Sequence, residues 1–197
     1  MRRATERTES LREHNRRETF QRIADRGIEL FLQKGYDATT VDDLAAAAGV
    51  SRRTFFYYFK SKDEIFGAQM NIYADVIRRA IVEGAPKLPP FDAVAAALVK
   101  LSAHFESPRT VAIARLMRSS DASSLRKLPG HLQMEQPVFD ALCELWPEVQ
   151  RRDSLRLVAM ASAGTLRFAV DKWLESDGLQ PLSRYIEDAF ARLKSEI

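Results

Sequence analysis

The 197-residue chain has a single cysteine, Cys143, which excludes a disulfide scaffold and a cysteine zinc cluster. Its three histidines, His14, His104 and His131, show no metal-ligand spacing, so no metal site is expected. Glycine and proline number 8 each. A sandwich or barrel needs turn residues more often than that, so the scarcity favours long helices. No apolar run reaches about 18 residues, the length of a membrane-spanning helix. The longest candidate, Leu157 to Val170, is interrupted by Ser162, Gly164, Thr165 and Arg167. The opening residues MRRATERTES hold no apolar segment of the signal-peptide kind, so a cytoplasmic location without membrane contact is expected. There is no glycine-rich phosphate loop. Cys143 sits beside Leu142 and Leu145 as a small hydrophobe rather than next to a base, so neither catalysis nor a cofactor is expected.

What is present is the balance of a globular protein. Hydrophobic residues make up 46% and charged residues 29%, enough to build a core and too apolar for wholesale disorder. The charge is unevenly spread. Residues 1–62 hold 13 Lys/Arg against 9 Asp/Glu, a surplus of four, while residues 63–197 hold 17 against 18. The basic excess lies in the N-terminal third, where it can meet phosphates.

Residues 1–16 are charged and nearly devoid of apolar side chains, which reads as a flexible basic arm. From Arg17, Phe20, Ile23/Ala24, Gly27 and Leu30/Phe31 recur at helical spacing, with Gly35 as the stop. Thr40-Val41-Asp42-Asp43 forms a capping box and opens a two-turn helix with an apolar face of Val41, Leu44, Ala45 and Ala48. Gly49 ends it, and Ser51 caps a second short helix, Arg52 to Phe59. Ser61-Lys62-Asp63-Glu64 repeats the capping pattern ahead of a long helix running to about Glu83. Further helices are expected at about 91–105, 108–118, 135–146, 152–175 and 181–194, delimited by Gly84-Ala85-Pro86, Pro89-Pro90, Pro108, Pro129-Gly130, Pro147, Gly178 and Pro181. No strand-like alternation longer than four residues and no repeat appears. The chain is expected to be all-α.

Two short helices joined by Ala48-Gly49-Val50 have the proportions of a helix-turn-helix. Gly49 permits the left-handed turn, Val50 fills the angle, and the small residues Ala45 to Ala48 let the helices cross closely. The second helix offers Arg52, Arg53 and Thr54 on its first turn, the end that enters a major groove in such units. An arginine there can donate two hydrogen bonds to guanine or bind phosphate. Ser51 caps this helix. Phe55, Tyr58 and Phe59 are spaced to face inward, and Tyr57 lies on another face within reach of the DNA backbone. Thr40 caps the preceding helix, whose N-terminus attracts phosphate.

The stretch Arg17 to Phe66, with its core GYDATTVDDLAAAAGVSRRTFFYYFKSKDEI, resembles the DNA-binding domain of TetR/AcrR-family transcriptional regulators. The resemblance implies a three-helix DNA-binding domain at 17–61. A fourth helix would join it to an effector-binding and dimerisation domain at 62–197. It also implies a phosphate contact at Lys62, a homodimer, and palindromic double-stranded operator DNA as partner. Arg53 stands where the family often has Gly or Pro, and Phe56 where a Tyr hydroxyl is frequent.

The C-terminal part is less directive. Its aromatic and Met side chains suit an apolar pocket between helices, and the candidate lining is His104, Phe105, Arg115, Met117, Phe139, Trp146 and Phe168. Residues 157–165 (LVAMASAGT) are small enough for close helix approach, and the final helix has an apolar face. Similarity to the family pairs these two helices with their copies, with Ala159, Ala163, Tyr185, Ile186 and Phe190 at the interface. Two readings of control stay open: a repressor released by an apolar or amphipathic small molecule, or a regulator without such an effector, constitutive or answering to a protein partner.

Overall fold

A computed structural model describes residues 2–84, 88–118 and 134–196, without the side chains of 2–10, 70, 117 and 118. The breaks expected at Ala85-Pro86 and Pro129-Gly130 lie outside these residues. The order is α1 Arg2–Lys34, α2 Val41–Ala47, α3 Arg52–Tyr58, α4 Asp63–Gly84, α5 Pro90–Phe105, α6 Pro108–Arg118, α7 Glu135–Leu145, α8 Arg152–Glu175 and α9 Leu182–Glu196. A single 3-10 turn, Val149–Arg151, precedes α8. Among the described residues there is no strand, and no helix is long and apolar enough to cross a membrane.

The expected helix ends agree with these to within about two residues, with one correction. The segment taken as a flexible arm is the first half of α1, which begins at Arg2. Its residues explain this. Arg, Glu, Ala and Leu are good helix formers, and no glycine or proline interrupts the chain before Gly27. His14 and Glu18 also sit one turn apart at 3.7 Å.

The described chain forms two compact units, one up to Gln69 and one from Met70 onward. In the first, α1, α2, α3 and the start of α4 enclose Ile23, Ile28, Phe31, Leu44, Phe55, Phe59, Ile65 and Phe66, all essentially inaccessible. Phe31 stacks on Phe66 with ring centroids 5.0 Å apart, and Phe20 on Phe59 at 4.7 Å. Gly27 lets α1 and α4 approach closely: a Cβ there would lie 2.7 Å from Ile65 Cδ1.

The second unit packs α9 against α5 and α8, and α7 against α8. Its core includes Ile77, Ile81, Val94, Leu98, Val138, Leu142, Leu155, Ala159, Trp173, Ile186 and Phe190. A helical C-cap closes α8, with Asp177 and Gly178 both at positive φ and the Gly178 amide donating to Trp173 O at 3.1 Å. Glu106 then accepts from the Leu182 amide at 2.9 Å, which satisfies the start of α9.

Candidate nucleic-acid interface

The first unit is set by its caps. At α2, Thr40 Oγ1 accepts from the Asp43 amide at 3.1 Å, and Asp43 Oδ2 accepts from the Thr40 amide at 2.8 Å, closing the expected box. Lys34 Nζ donates to the same carboxylate oxygen at 2.7 Å. The Lys34 hydrogen bond, with those from Thr40, holds the Asp43 carboxyl well below the usual carboxylate range. The chain then turns at Gly49, whose φ of +66° is the left-handed conformation the sequence calls for. The Val50 amide donates to Ala45 O at 2.9 Å across that turn. Ser51 opens α3 by accepting from the Thr54 amide at 3.0 Å, with its hydroxyl 2.8 Å from that of Thr54. The capping expected at Ser61 takes another form: Ser61 Oγ donates to Asp63, and Glu64 accepts from the Lys60 amide at 2.7 Å.

These caps fix what α3 presents. Phe55 and Phe59 are buried and Tyr58 is half-buried, while Arg52, Arg53 and Tyr57 are exposed. The two arginines differ. Arg52 is held by both oxygens of Asp42 at 3.0 and 2.8 Å and lies 5.6 Å from the Phe56 ring centroid. No ion pair joins Arg53 among the described residues, so its guanidinium is available to an outside acceptor. Tyr57 stands edge-on to Tyr58, and the Arg16 guanidinium approaches its ring at 5.9 Å. Lys62 has partners that its spacing does not announce. Its ammonium donates to Tyr36 O at 2.8 Å and Thr39 O at 3.2 Å, and the side chain is half-buried. Asp42, now the partner of Arg52, gave no sequence signal, because ten residues and a turn separate the two.

Residues 23–68, which span this constellation, match the family described as bacterial regulatory proteins, tetR family. The match lies wholly within the first unit. Over 61 residues, 31% of the chain, it is 34% identical to the negative transcriptional regulator IcaR of the Staphylococcus aureus biofilm operon icaADBC. Over 63 residues, 32% of the chain, it is 41% identical to the transcriptional regulator TcmR of Streptomyces glaucescens. These matches span only 33% and 28% of the two regulators' lengths. The fold extends further. A TetR-family repressor from Thermus thermophilus, FadR, solved in complex with lauroyl-CoA, has a TM-score of 0.58 over 87% of this chain and 91% of its own, at 23% identity. The chain thus shares the fold of that structure, an N-terminal helix-turn-helix unit followed by a helical one.

The second unit distributes its expected site residues differently from the sequence reading. His104 and Arg115 are exposed, the latter paired with Asp177 at 2.9 Å. Phe105 is half-buried, edge-on to Tyr73 at 5.5 Å. Phe139 is a core residue lying under the guanidinium groups of Arg156 at 4.6 Å and Arg152 at 5.7 Å. Trp146 is half-buried beneath Arg151, and the side chain of Met117 lies outside those described. Phe168 is 51% exposed. A groove of about 400 Å³ does exist here, lined by Pro89, Phe91, Asp92, Leu157, Val158, Ala161 and Lys194. None of these is among the residues expected to line a pocket.

The expected interface residues also need correction. Ala159, Ile186 and Phe190 are buried in the core of their own chain, Phe190 against the Phe91 ring at 4.8 Å. Amphipathic periodicity marked the inward face of α9 as if it were outward. Ala163 is half-buried, and Tyr185 is half-buried with its hydroxyl 2.6 Å from Ser176 Oγ. The apolar surface of α8 consists instead of Leu157, Met160 and Phe168, which are 66%, 51% and 51% exposed. Their helical spacing was present in the sequence, on a helix whose other face is equally apolar.

Proposed function

We propose that the protein is a homodimeric transcriptional regulator that reads a palindromic operator through α3 and acts as a repressor released by an apolar or amphipathic small molecule. The observation that carries the DNA-reading part is the exposed first turn of α3. Arg52 and Arg53 project there, with Tyr57 one turn on, from a doubly capped helix-turn-helix that matches the tetR family. Arg53 is the residue assigned to a guanine edge, since a bidentate contact needs an unpaired guanidinium. Arg52 must exchange its Asp42 carboxylate for any DNA acceptor, which suits a phosphate contact that adjusts register. Ser51 and Thr54 serve first as the cap, and the N-terminus of α2 at Thr40 is the anion-attracting end. The protein acts in the cytoplasm, where its operator is.

Two-fold symmetry follows from the DNA, because half-sites one helical turn apart need two recognition helices about 34 Å apart. The Leu157–Met160–Phe168 stripe of α8 supplies the surface: contiguous exposed apolar side chains on a water-soluble domain are otherwise a liability. The effector part of the reading is supported by FadR, which holds lauroyl-CoA in the same fold. The chain passes from the first unit to the second inside α4, so a ligand-dependent shift of that helix is the proposed route to DNA release. Linkage fixes its size. A ligand that weakens operator binding 100-fold must itself favour the DNA-free form by about 2.7 kcal/mol.

The test is enrichment of duplexes from a random-sequence pool with the purified full-length chain. An inverted repeat with half-sites about one turn apart supports the reading. Equal retention of all sequences, or no retention, would refute it.

A further inference from the structure

Lys62 occupies a position that the DNA-reading proposal does not explain. Its ammonium has three N–H donors, and two of them are committed to the carbonyls of Tyr36 and Thr39. The same nitrogen lies 4.2 Å from the centroid of the Tyr36 ring, so the group is also held against a π face. Neither anchor is loose. Tyr36 is 6% exposed and wedged between Phe31 at 5.1 Å and Phe66 at 5.6 Å. Thr39 is 1% exposed, and its hydroxyl donates to Gly35 O at 2.6 Å. Lys62 therefore ties the residue preceding α4 to the connector between α1 and α2, reaching back 26 and 23 residues in sequence. The next residue of that connector is Thr40, the cap that orients α2. A phosphate that drew the ammonium away from these carbonyls would have to replace two charge-assisted hydrogen bonds, and only the third donor is uncommitted.

We propose that Lys62 is a positioning residue for operator binding: it holds the connector, and through it Thr40 and the start of α2, in the register that DNA docking needs, and it does not itself neutralise a phosphate. The inference rests on the DNA-binding reading above. A phosphate contact and a latch leave different signatures. Loss of one phosphate contact lowers the slope of log affinity against log salt by about 0.9, whereas loss of a latch weakens binding at an unchanged slope.

The experiment uses full-length Lys62→Met and the duplex enriched by the wild-type protein. The expected result is binding at least tenfold weaker with the salt slope unchanged. Amides 39–44 should also exchange with solvent about tenfold faster in the DNA-free protein. The double variant with Thr40→Ala should bind no worse than the weaker single variant, because the two residues act through one element. If Lys62→Met does not fold, Lys62→Gln, which also lacks the charge, carries the same slope test. A slope lowered by about 0.9 per contact with unchanged exchange, additive effects with Thr40→Ala, or wild-type affinity in the variant would each overturn the inference alone. Failure of the wild-type protein to enrich any duplex would overturn the DNA-binding reading first and this inference with it.

Discussion

The two units expose opposite kinds of surface from the same kind of helix. On α3 the outward side chains are Arg52, Arg53, Tyr57 and the ring of Phe56 beneath Arg52, aimed by a side-chain cap at Ser51 and a left-handed glycine at position 49. On α8 they include Leu157, Met160 and Phe168 beside charged Asp153, Arg167 and Lys172, on a helix whose first residue follows a 3-10 turn with no side-chain cap. The difference teaches what each surface is for. Reading a charged polymer requires donors with fixed direction, so the backbone at the start of α3 is pinned. Association through apolar area, the role proposed for α8, is non-directional and needs no such pinning. Caps are local and spelled out in three or four residues. A stripe becomes a surface only once the other face of the helix has been buried.

That contrast can be broken from its largest effect downward. Phe66→Ala removes the ring stacked between Phe31 and Tyr36 and should cost about 3–5 kcal/mol, abolishing cooperative melting of the first unit. Chemical denaturation followed by circular dichroism measures it. Paired substitution of Met160 and Phe168 by Glu should weaken self-association at least 100-fold, about 2.7 kcal/mol, while leaving the helix content intact. Sedimentation velocity at micromolar concentration decides. A wild-type monomer, or a double variant that remains dimeric, removes α8 from the interface. Phe190→Glu, by contrast, should unfold the second unit, because that ring is core. Ser51→Ala should destabilise the first unit by about 1 kcal/mol through loss of its cap. Asp42→Asn should change stability by less than about 1 kcal/mol, since the pair with Arg52 is exposed, yet raise operator affinity by freeing that guanidinium. Unchanged or weakened affinity would mean that Arg52 works through Asp42.

The Asp43 carboxyl adds a pH signature to the polar unit alone. Its pKa in the fold is below the ordinary 3.8, so the stabilisation from Lys34 and Thr40 is present above that value. It is lost as pH falls below about 4, towards the folded pKa. Asp43→Asn should flatten the acid limb of the melting curve for the first unit. A limb unchanged in the variant would place the acid sensitivity elsewhere.

How much was legible in the chain follows the same division. Helix ends were readable because Gly35, Gly49, Pro90, Pro108 and Gly178 act on their neighbours alone. The helix-turn-helix was readable because Thr40, Asp43 and Ser51 cap helices at fixed offsets. The arm is helical despite its few apolar residues because Arg2 to Arg16 has high intrinsic propensity, which a search for an apolar face does not register. Lys62 and Asp42 were opaque: their partners lie 23–26 and ten residues away, set by tertiary folding rather than spacing. In the second unit, Ile186 and Phe190 share a clean amphipathic face, but periodicity identifies a buried face without saying whether it is buried by the same chain or by another. The exposure of His104 and Arg115 has the same origin. Polar residues within an apolar helix were read as lining a cavity when they simply lie on the outside.

The account turns on Arg53 reading a base from the first turn of α3. The most direct measurement compares wild type with Arg53→Ala across all single-base substitutions of the enriched duplex, at one salt concentration. The prediction is a loss of about 1–3 kcal/mol of discrimination at one symmetric pair of base positions, with preferences elsewhere retained. An identical preference profile in the variant, or a uniform loss at every position, would contradict it.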